Sequence, residues 1–265
     1  SIFGIFDIQE HPEALRQTAL EMSRKQLHRG PDWEGIYQGE HAIIVHERLS
    51  IVDPQNGAQP LYNENKTHIL AVNGEIYNHK QLKQELSVDY KFKTGSDCEV
   101  ILPLYEEFKR TGKNFVDRLV GDFAFVIYDV EDNTIFAARD HMGIVPMYVG
   151  TDNAGRFYVA SEMKALTPIC DSVREFAPRS YIYSKEGYDF KQYYHRDWFS
   201  YDNVKNCKTD IKQLKDALMD SVKRQLMCDV PYGVLLSGGL DSSIISAIAS
   251  HYAEKRIEDD GKSQA

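Results

Sequence analysis

Hydrophobic positions along the first two hundred residues switch repeatedly between two spacings, and the switching divides the chain into strands and helices. Ile2 to Ile8, Ala42 to Glu47 and Ile69 to Asn73 are short runs of apolar and β-branched residues ending at polar or turn-forming positions, the pattern of buried strands. Between the first two runs, Leu15, Ala19, Met22 and then Gln26 or Leu27 fall about one helical turn apart beneath a charged outer face. A second helix is predicted behind Ser96-Asp97, where Val100, Ile101, Leu104, Tyr105 and Phe108 repeat at helical spacing, so Asp97 is expected at a helix N-terminus.

From Gly121 onward the runs Phe123 to Tyr128, Thr134 to Ala138, Met147 to Val149 and Phe157 to Ala160 are separated by turn signals and predict a β-meander. Tyr181 to Tyr194 reads as one further hairpin. Residues 196 to 210 are polar and aromatic without periodicity and are the expected linker between two domains, 1–195 and 211–265. Helical spacing then returns in Leu214, Leu218, Val222 and Leu226, followed by an expected strand from Val230 to Leu236 and a Gly-Gly turn into another helix. The mixture of periods places the first domain among α/β or α+β folds.

Bulk properties narrow the partners. The chain has 265 residues, 42% hydrophobic and 27% charged, within the range of folded proteins. A net charge of -9 argues against a broad basic surface for nucleic acid, leaving small molecules as the expected partners. No apolar run approaches the roughly 20 residues of a membrane helix, and the N-terminus has no signal-peptide pattern, so a cytoplasmic setting is the default expectation. Cys98, Cys170, Cys207 and Cys228 form no CxxC pair and read as reduced thiols without an assigned role. The histidines show no HExxH spacing; His28, His46, His79 and His141 are expected to be structural hydrogen bonders, and Tyr193, Tyr194, Trp198 and Phe199 interdomain packing.

The sharpest local signal runs from Val234 to Ser243, VLLSGGLDSS: an apolar segment, a glycine turn, then a helix. Glycines allow close backbone approach, the first N–H groups of a helix lack internal partners, and Ser237, Ser242 and Ser243 add hydroxyls, which together make an anion cradle. A serine-capped turn is the plain structural alternative. The sequence GxxxxGK(S/T) does not occur, so the ordinary P-loop with its lysine is excluded.

SGGLDSS resembles the pyrophosphate loop of ATP pyrophosphatases, which cleave ATP between the α and β phosphates. The first domain resembles class II glutamine amidotransferases through SIFGIFD at 1–7, HRGPD at 28–32, HERLSIVD at 46–53, AVNGEIYNH at 71–79, TGSDCEV at 94–100, GDFAFVIYD at 121–129, RDHMGIVPMY at 139–148 and ASEMKAL at 160–166. The fusion of the two resembles the glutamine-hydrolysing asparagine synthetases of the B type. The resemblance implies an α+β N-terminal nucleophile hydrolase sandwich (αββα), followed by an incomplete α/β ATP-pyrophosphatase-type domain.

It also implies roles. Asn73 and Gly74 would form an oxyanion hole, Arg48 would bind the α-carboxylate of glutamine, and Asp97 its α-ammonium, with Glu75 and the backbone of Leu49, Ser50, Ile51 and Val52 completing the pocket. A zwitterion calls for one fixed cation and one fixed anion. Leu235, Ser237, Gly238, Gly239, Leu240, Asp241 and Ser242 would hold ATP, with Mg2+ as the implied cofactor and no metal ligand assigned. Aspartate would be activated as β-aspartyl-AMP and converted to asparagine by ammonia carried from glutamine. Taken singly, Arg48 has the reading of a surface ion pair, Asp97 of a helix cap, and Asn73-Gly74 of a hairpin turn.

The family's catalytic cysteine stands first, before Ser or Gly and Ile-Phe-Gly. Aligned on Ile2-Phe3-Gly4, Ser1 falls at the second position, so the cysteine is expected ahead of Ser1. Its omission from this sequence is favoured over deletion, and over recruitment of Ser1, since a one-residue shift turns a side chain to the other face of a strand. The chain beginning at Ser1 is expected to hydrolyse glutamine poorly or not at all, and one ending at Ala265 not to complete the synthesis. The rival readings are a non-catalytic glutamine-binding fragment and a β-lactam-synthetase-like enzyme. A homodimer is the assembly to test.

Overall fold

Alternation of side chains along a strand lets one apolar run serve two layers at once, and the first part of the chain is built this way. In a computed structural model that describes the backbone of residues 1–263 and the side-chain surroundings of 1–253, the chain divides into two units, Ser1–His195 and Arg196–Ala265. The first contains, in order, β1 (Ile2–Phe6), α1 (Glu13–Arg24), β2 (Trp33–Gln38), β3 (Ile43–Arg48), β4 (Leu61–Tyr62), β5 (His68–Ile76), α2 (His79–Glu85), α3 (Ile101–Thr111), β6 (Gly121–Asp129), β7 (Thr134–Arg139), β8 (Tyr148–Thr151), β9 (Phe157–Ala160), β10 (Ser172–Glu175), β11 (Ser180–Tyr183) and β12 (Lys191–Gln192).

Two six-stranded sheets result, ordered β10-β8-β9-β1-β3-β2 and β12-β11-β7-β6-β5-β4, with every pairing antiparallel. Ile2, Phe6, Ile44, Ala71, Ala124, Val126 and Ala137 meet between the sheets. The alternate residues Phe3, Ile5, Ile43 and Val45 turn outward onto Ala19 and Met22 of α1. On the second sheet, Leu70, Val72, Phe123, Phe125, Ile127 and Phe136 face Ile101, Leu104, Tyr105 and Phe108 of α3. The result is an αββα sandwich, as the resemblance implies. Burial on both faces explains why Gly121–Asp129 reads as a nearly continuous apolar run. Each fully buried Phe in these layers contributes roughly 2–3 kcal/mol of transfer free energy.

Helix α3 is entered through a tight turn, Asp97–Val100, whose Cys98 N–H is accepted by Ser96 Oγ, and it ends at Gly112, left-handed at φ 69°. Asp97 therefore starts this turn, while α3 proper begins at Ile101.

Several expectations need correction. The runs from Gly121 to Ala160 do not form one meander: β6 and β7 lie in one sheet, β8 and β9 in the other, because the loop 140–147 carries the chain across the sandwich. Asn73-Gly74 is not a hairpin turn; both residues sit within β5, opposite Ala124 and Phe123 of β6. Strands β2, β4 and β10 and helix α2 escaped the sequence reading, since β2 and β10 are edge strands without a fully buried position and β4 and α2 are too short to show a period.

In the second unit, a short turn, Asp197–Phe199, and α4 (Tyr201–Val204) occupy the expected linker, where Trp198 and Phe199 are 59% and 53% exposed. Helix α5 (Ile211–Gln225) is capped by Asp210, which accepts the Lys212 and Gln213 N–H groups, and α6 spans Leu240–Ser263. Val230 to Leu236 forms no strand, because a strand needs a neighbour for its ladder and none exists among the described residues of this unit.

Candidate functional site

Where the layer between the sheets runs out of apolar residues, a cavity opens. On β3, Ile44 belongs to that layer, and His46 and Arg48 follow it at alternate positions; on β5, Ala71 is followed in the same way by Asn73 and Glu75. Polar side chains thus converge from both sheets on a space of about 480 Å³. Its wall includes Arg48, Leu49, Ile51, Val52, Asn73, Gly74, Glu75 and Asp97. Of the expected pocket residues, Ser50 alone is not in the wall; its N–H points instead to Asp32 Oδ2, 2.8 Å away. Ser1, His28, Arg29, His46, Gln59 and Cys98 also line the space and were not assigned to it from sequence. His46 carried a usable signal, two residues before Arg48 on the same strand.

Arg48 is buried, and its guanidinium donates to the carbonyls of Pro54 (3.0 Å), Val52 (3.2 Å) and Asp53 (2.7 Å), closing the loop after β3 around itself. Burial lowers its pKa from the ordinary guanidinium value, and a guanidinium stays charged at neutral pH. Asp53 fastens the same loop to the next by accepting the Gly95 N–H at 2.7 Å. The surface ion-pair reading of Arg48 is thereby excluded, since its partners are backbone carbonyls inside the fold.

The negative part of the wall is Asp97 and Glu75. Asp97 Oδ2 accepts the Ile76 N–H at 2.6 Å, and burial raises this carboxyl above its ordinary value. Glu75 is pushed up to about 7 by burial and then by the charges of Asp97 and Asp122. An ammonium group placed between Glu75 and Asp97 would relieve both.

The edge of β5 explains why Gly74 matters. In an antiparallel ladder the N–H and C=O of alternate residues face opposite neighbours, and β4 pairs only with Ile69 and Leu70. Beyond that point Val72, Gly74 and Ile76 present an edge with no strand of the described residues beside it, and side chains take its groups one by one. Gln59 Oε1 accepts the Val72 N–H (2.8 Å), and His46 Nε2 meets the Val72 carbonyl (2.9 Å). Cys98 Sγ donates to the Gly74 carbonyl (3.5 Å), Asp97 accepts from Ile76 N–H, and His79 Nδ1 meets the Ile76 carbonyl (3.0 Å). The Gly74 N–H is the edge group left without a partner among the hydrogen bonds of the described residues. At φ 132°, with the position of a Cβ 2.0 Å from the Asp122 carbonyl oxygen, only glycine fits there.

Around Ser1 the chain is equally enclosed. Its nitrogen donates to the Glu47 carbonyl, its carbonyl accepts the Glu47 N–H at 2.9 Å, and the Ile2 N–H reaches Ser161 Oγ at 2.9 Å. Ser1 Oγ is buried without a hydrogen-bond partner.

In the second unit Gly238 adopts φ 85°, with open space where a Cβ would stand, and Ser237 Oγ lies 3.0 Å from Ser242 Oγ. Ser242 and Ser243 hydroxyls both donate to the Gly239 carbonyl, at 3.2 and 2.7 Å, and Asp241 lies in the first turn of α6. Leu235 and Leu240 are 95% and 75% exposed, so they hold nothing within the fold. Among the described residues no group of three His, Cys, Asp or Glu side chains is placed to hold a metal ion.

Residues 1–220 match the model of the glutamine amidotransferase domain family, and residues 213–259 match that of asparagine synthase. Asparagine synthetase B (glutamine-hydrolyzing) of Escherichia coli strain K12 is 59% identical over 265 residues, covering 100% of this chain and 47% of its own. A probable asparagine synthetase of Dictyostelium discoideum is 47% identical over 270 residues, covering 100% of this chain and 48% of its own. The chain thus spans about half the length of these curated relatives. Among solved structures, glutamine phosphoribosylpyrophosphate amidotransferase from B. subtilis, complexed with ADP and GMP, superposes with a TM-score of 0.57 at 25% identity, over 72% of this chain and 48% of that one. On its fold, its site and the match over residues 1–220, the chain belongs to the glutamine amidotransferase domain family, with the beginning of an asparagine synthase segment after it.

Proposed function

We propose that the first unit binds glutamine and releases ammonia from it, serving an ATP-dependent synthesis of asparagine from aspartate through β-aspartyl-AMP. The observation that carries this reading is the unpaired Gly74 N–H at the edge of a cavity that also holds one buried cation, Arg48, and one buried anion, Asp97. Arg48 would receive the α-carboxylate, Asp97 with Glu75 the α-ammonium, and the Asn73 side chain with the Gly74 N–H the oxyanion of the tetrahedral intermediate.

The nucleophile in this reading is a cysteine joined to the nitrogen of Ser1. In step with Ile2 and Phe6, whose side chains enter the layer between the sheets, a residue at that position would turn its side chain toward the cavity end of the layer. Ser1 itself is in step with Phe3 and Ile5, which face α1, so its hydroxyl is not the attacking group.

Domain limits of 1–195 and 211–265, with 196–210 as linker, belong to the same reading. So does the phosphate loop. Ser237, Ser242 and the N–H groups at the start of α6 would hold the pyrophosphate end of ATP, with Gly238 and Gly239 leaving room for close approach. Mg2+ would arrive with the nucleotide and neutralise its charge. A cytoplasmic setting and a homodimer complete the proposal; no helix among the described residues is long and apolar enough to cross a membrane.

The test is an assay of the native protein with glutamine, aspartate and ATP. Glutamate, AMP and asparagine formed together support the reading. Formation of ADP, or glutamine binding without glutamate release, would exclude it, the second outcome favouring a non-catalytic binding module.

A further inference from the structure

Cys98 has no part in the glutaminase chemistry just proposed, yet its sulfur is placed at the one residue of β5 whose N–H is open. It is 2% exposed, and its N–H is held by Ser96 Oγ, which fixes the start of the turn before α3. Its thiol lies 3.5 Å from the Gly74 carbonyl and 3.5 Å from Asp97 Oδ2. Burial, with the charges of Asp97 and Glu75 added, pushes the thiol well above its ordinary value, so it stays protonated and able to donate.

Two neighbouring side chains of this turn thus grip the same short stretch of β5: Asp97 holds the Ile76 N–H and Cys98 holds the Gly74 carbonyl. On the other side the stretch is paired with β6. Glycine at φ 132° has the widest backbone freedom of any residue, so an unrestrained Gly74 would sample several orientations of its two peptide planes. Tying its carbonyl removes that freedom on the C-terminal side.

We propose that Cys98 is a positioning residue for glutamine hydrolysis, its S–H fixing the Gly74 carbonyl so that the Gly74 N–H keeps its aim at the oxyanion. This rests on the glutaminase reading above. Because the clamp acts where charge develops in the transition state, its loss should fall on kcat and spare the binding of glutamine.

The test compares the native protein with Cys98→Ala and Cys98→Ser in glutaminase kinetics, glutamine affinity by calorimetry, and amide hydrogen exchange at Asn73 to Ile76. Cys98→Ala is expected to lower kcat about tenfold, with affinity within about twofold and faster exchange at Gly74 and Glu75. Cys98→Ser, a stronger donor of similar size, should recover most of the rate. An unchanged kcat in Cys98→Ala would overturn the proposal, and so would a serine variant as slow as the alanine one, which would assign the loss to packing. If the native protein neither binds nor turns over glutamine, the glutaminase reading fails and with it the catalytic role; the exchange comparison then still decides whether the clamp exists.

Discussion

His46 Nε2 lies 2.9 Å from the carbonyl oxygen of Val72, joining β3 of one sheet to β5 of the other at the mouth of the cavity. A carbonyl only accepts, so Nε2 carries the proton, and burial holds the imidazole neutral by lowering its pKa well below 6.5. The bond ties together the two strands that carry Arg48 and Asn73.

Replacing His46 with Phe should cost about 1–2 kcal/mol in urea unfolding at pH 7, since Val72 then keeps a buried carbonyl without a donor. The depressed pKa gives a sign: the unfolded chain takes up the proton first, so this contribution is present above pH about 6.5 and lost as the pH falls below it. An unfolding difference that grew on acidification would contradict the assignment.

Arg48→Lys keeps a positive charge but cannot reproduce three donations to Val52, Asp53 and Pro54 while also meeting a carboxylate. Glutamine affinity is expected to fall by about 2 kcal/mol in calorimetry, and limited proteolysis should cut the loop 49–57 faster. A lysine variant with native affinity would show that charge alone suffices.

Glutamine binding should strengthen as the pH rises through 7. Glu75, pushed up to about 7, is half protonated there, and the α-ammonium favours its ionised form. The dissociation constant should fall several-fold between about pH 6 and pH 8 and lose this dependence in Glu75→Gln. Equal affinity across that range in the unaltered chain would remove Glu75 from the ammonium site.

Far from the cavity, His68 lies 3.4 Å from buried Asp129 and 3.6 Å from Glu106, while Lys109 donates to the same Asp129 carboxylate at 2.5 Å. The two nearby carboxylates outweigh burial and raise His68 to about 9. A raised pKa stabilises the fold fully below about pH 6.5, and the gain is lost as the pH climbs to about 9. His68→Phe should therefore cost about 3 kcal/mol at pH 6 and distinctly less at pH 9 by urea unfolding. A cost independent of pH would mean the ring acts by packing alone.

Much of the sandwich was legible because its strands bury both faces, and runs such as Phe123 to Tyr128 announce that without a partner in view. Edge strands such as β2, with Trp33 58% exposed, carry no such signal, and the path from β7 to β8 across the layers depends on long-range packing that no local pattern encodes. Of the residues that line the cavity, Arg48, Asn73, Gly74, Glu75 and Asp97 are singled out by motifs. Cys98 has no role assigned from sequence and His46 is expected only as a structural hydrogen bonder, because their places at the cavity come from the free edge of β5, which exists only once β4 is seen to be confined to Leu61 and Tyr62. The Asn73-Gly74 pair shows the reverse case: locally a favoured turn, it is held in a strand by nine residue pairings with β6.

The central claim, a pocket built for the zwitterion of glutamine, is tested most directly by titrating glutamine into the chain and into its Asp97→Asn variant by calorimetry. We predict one glutamine bound per chain, with affinity reduced at least tenfold in the variant because the buried anion opposite the α-ammonium is gone. Binding that is absent in the unaltered chain, or equal in the two proteins, would contradict the account.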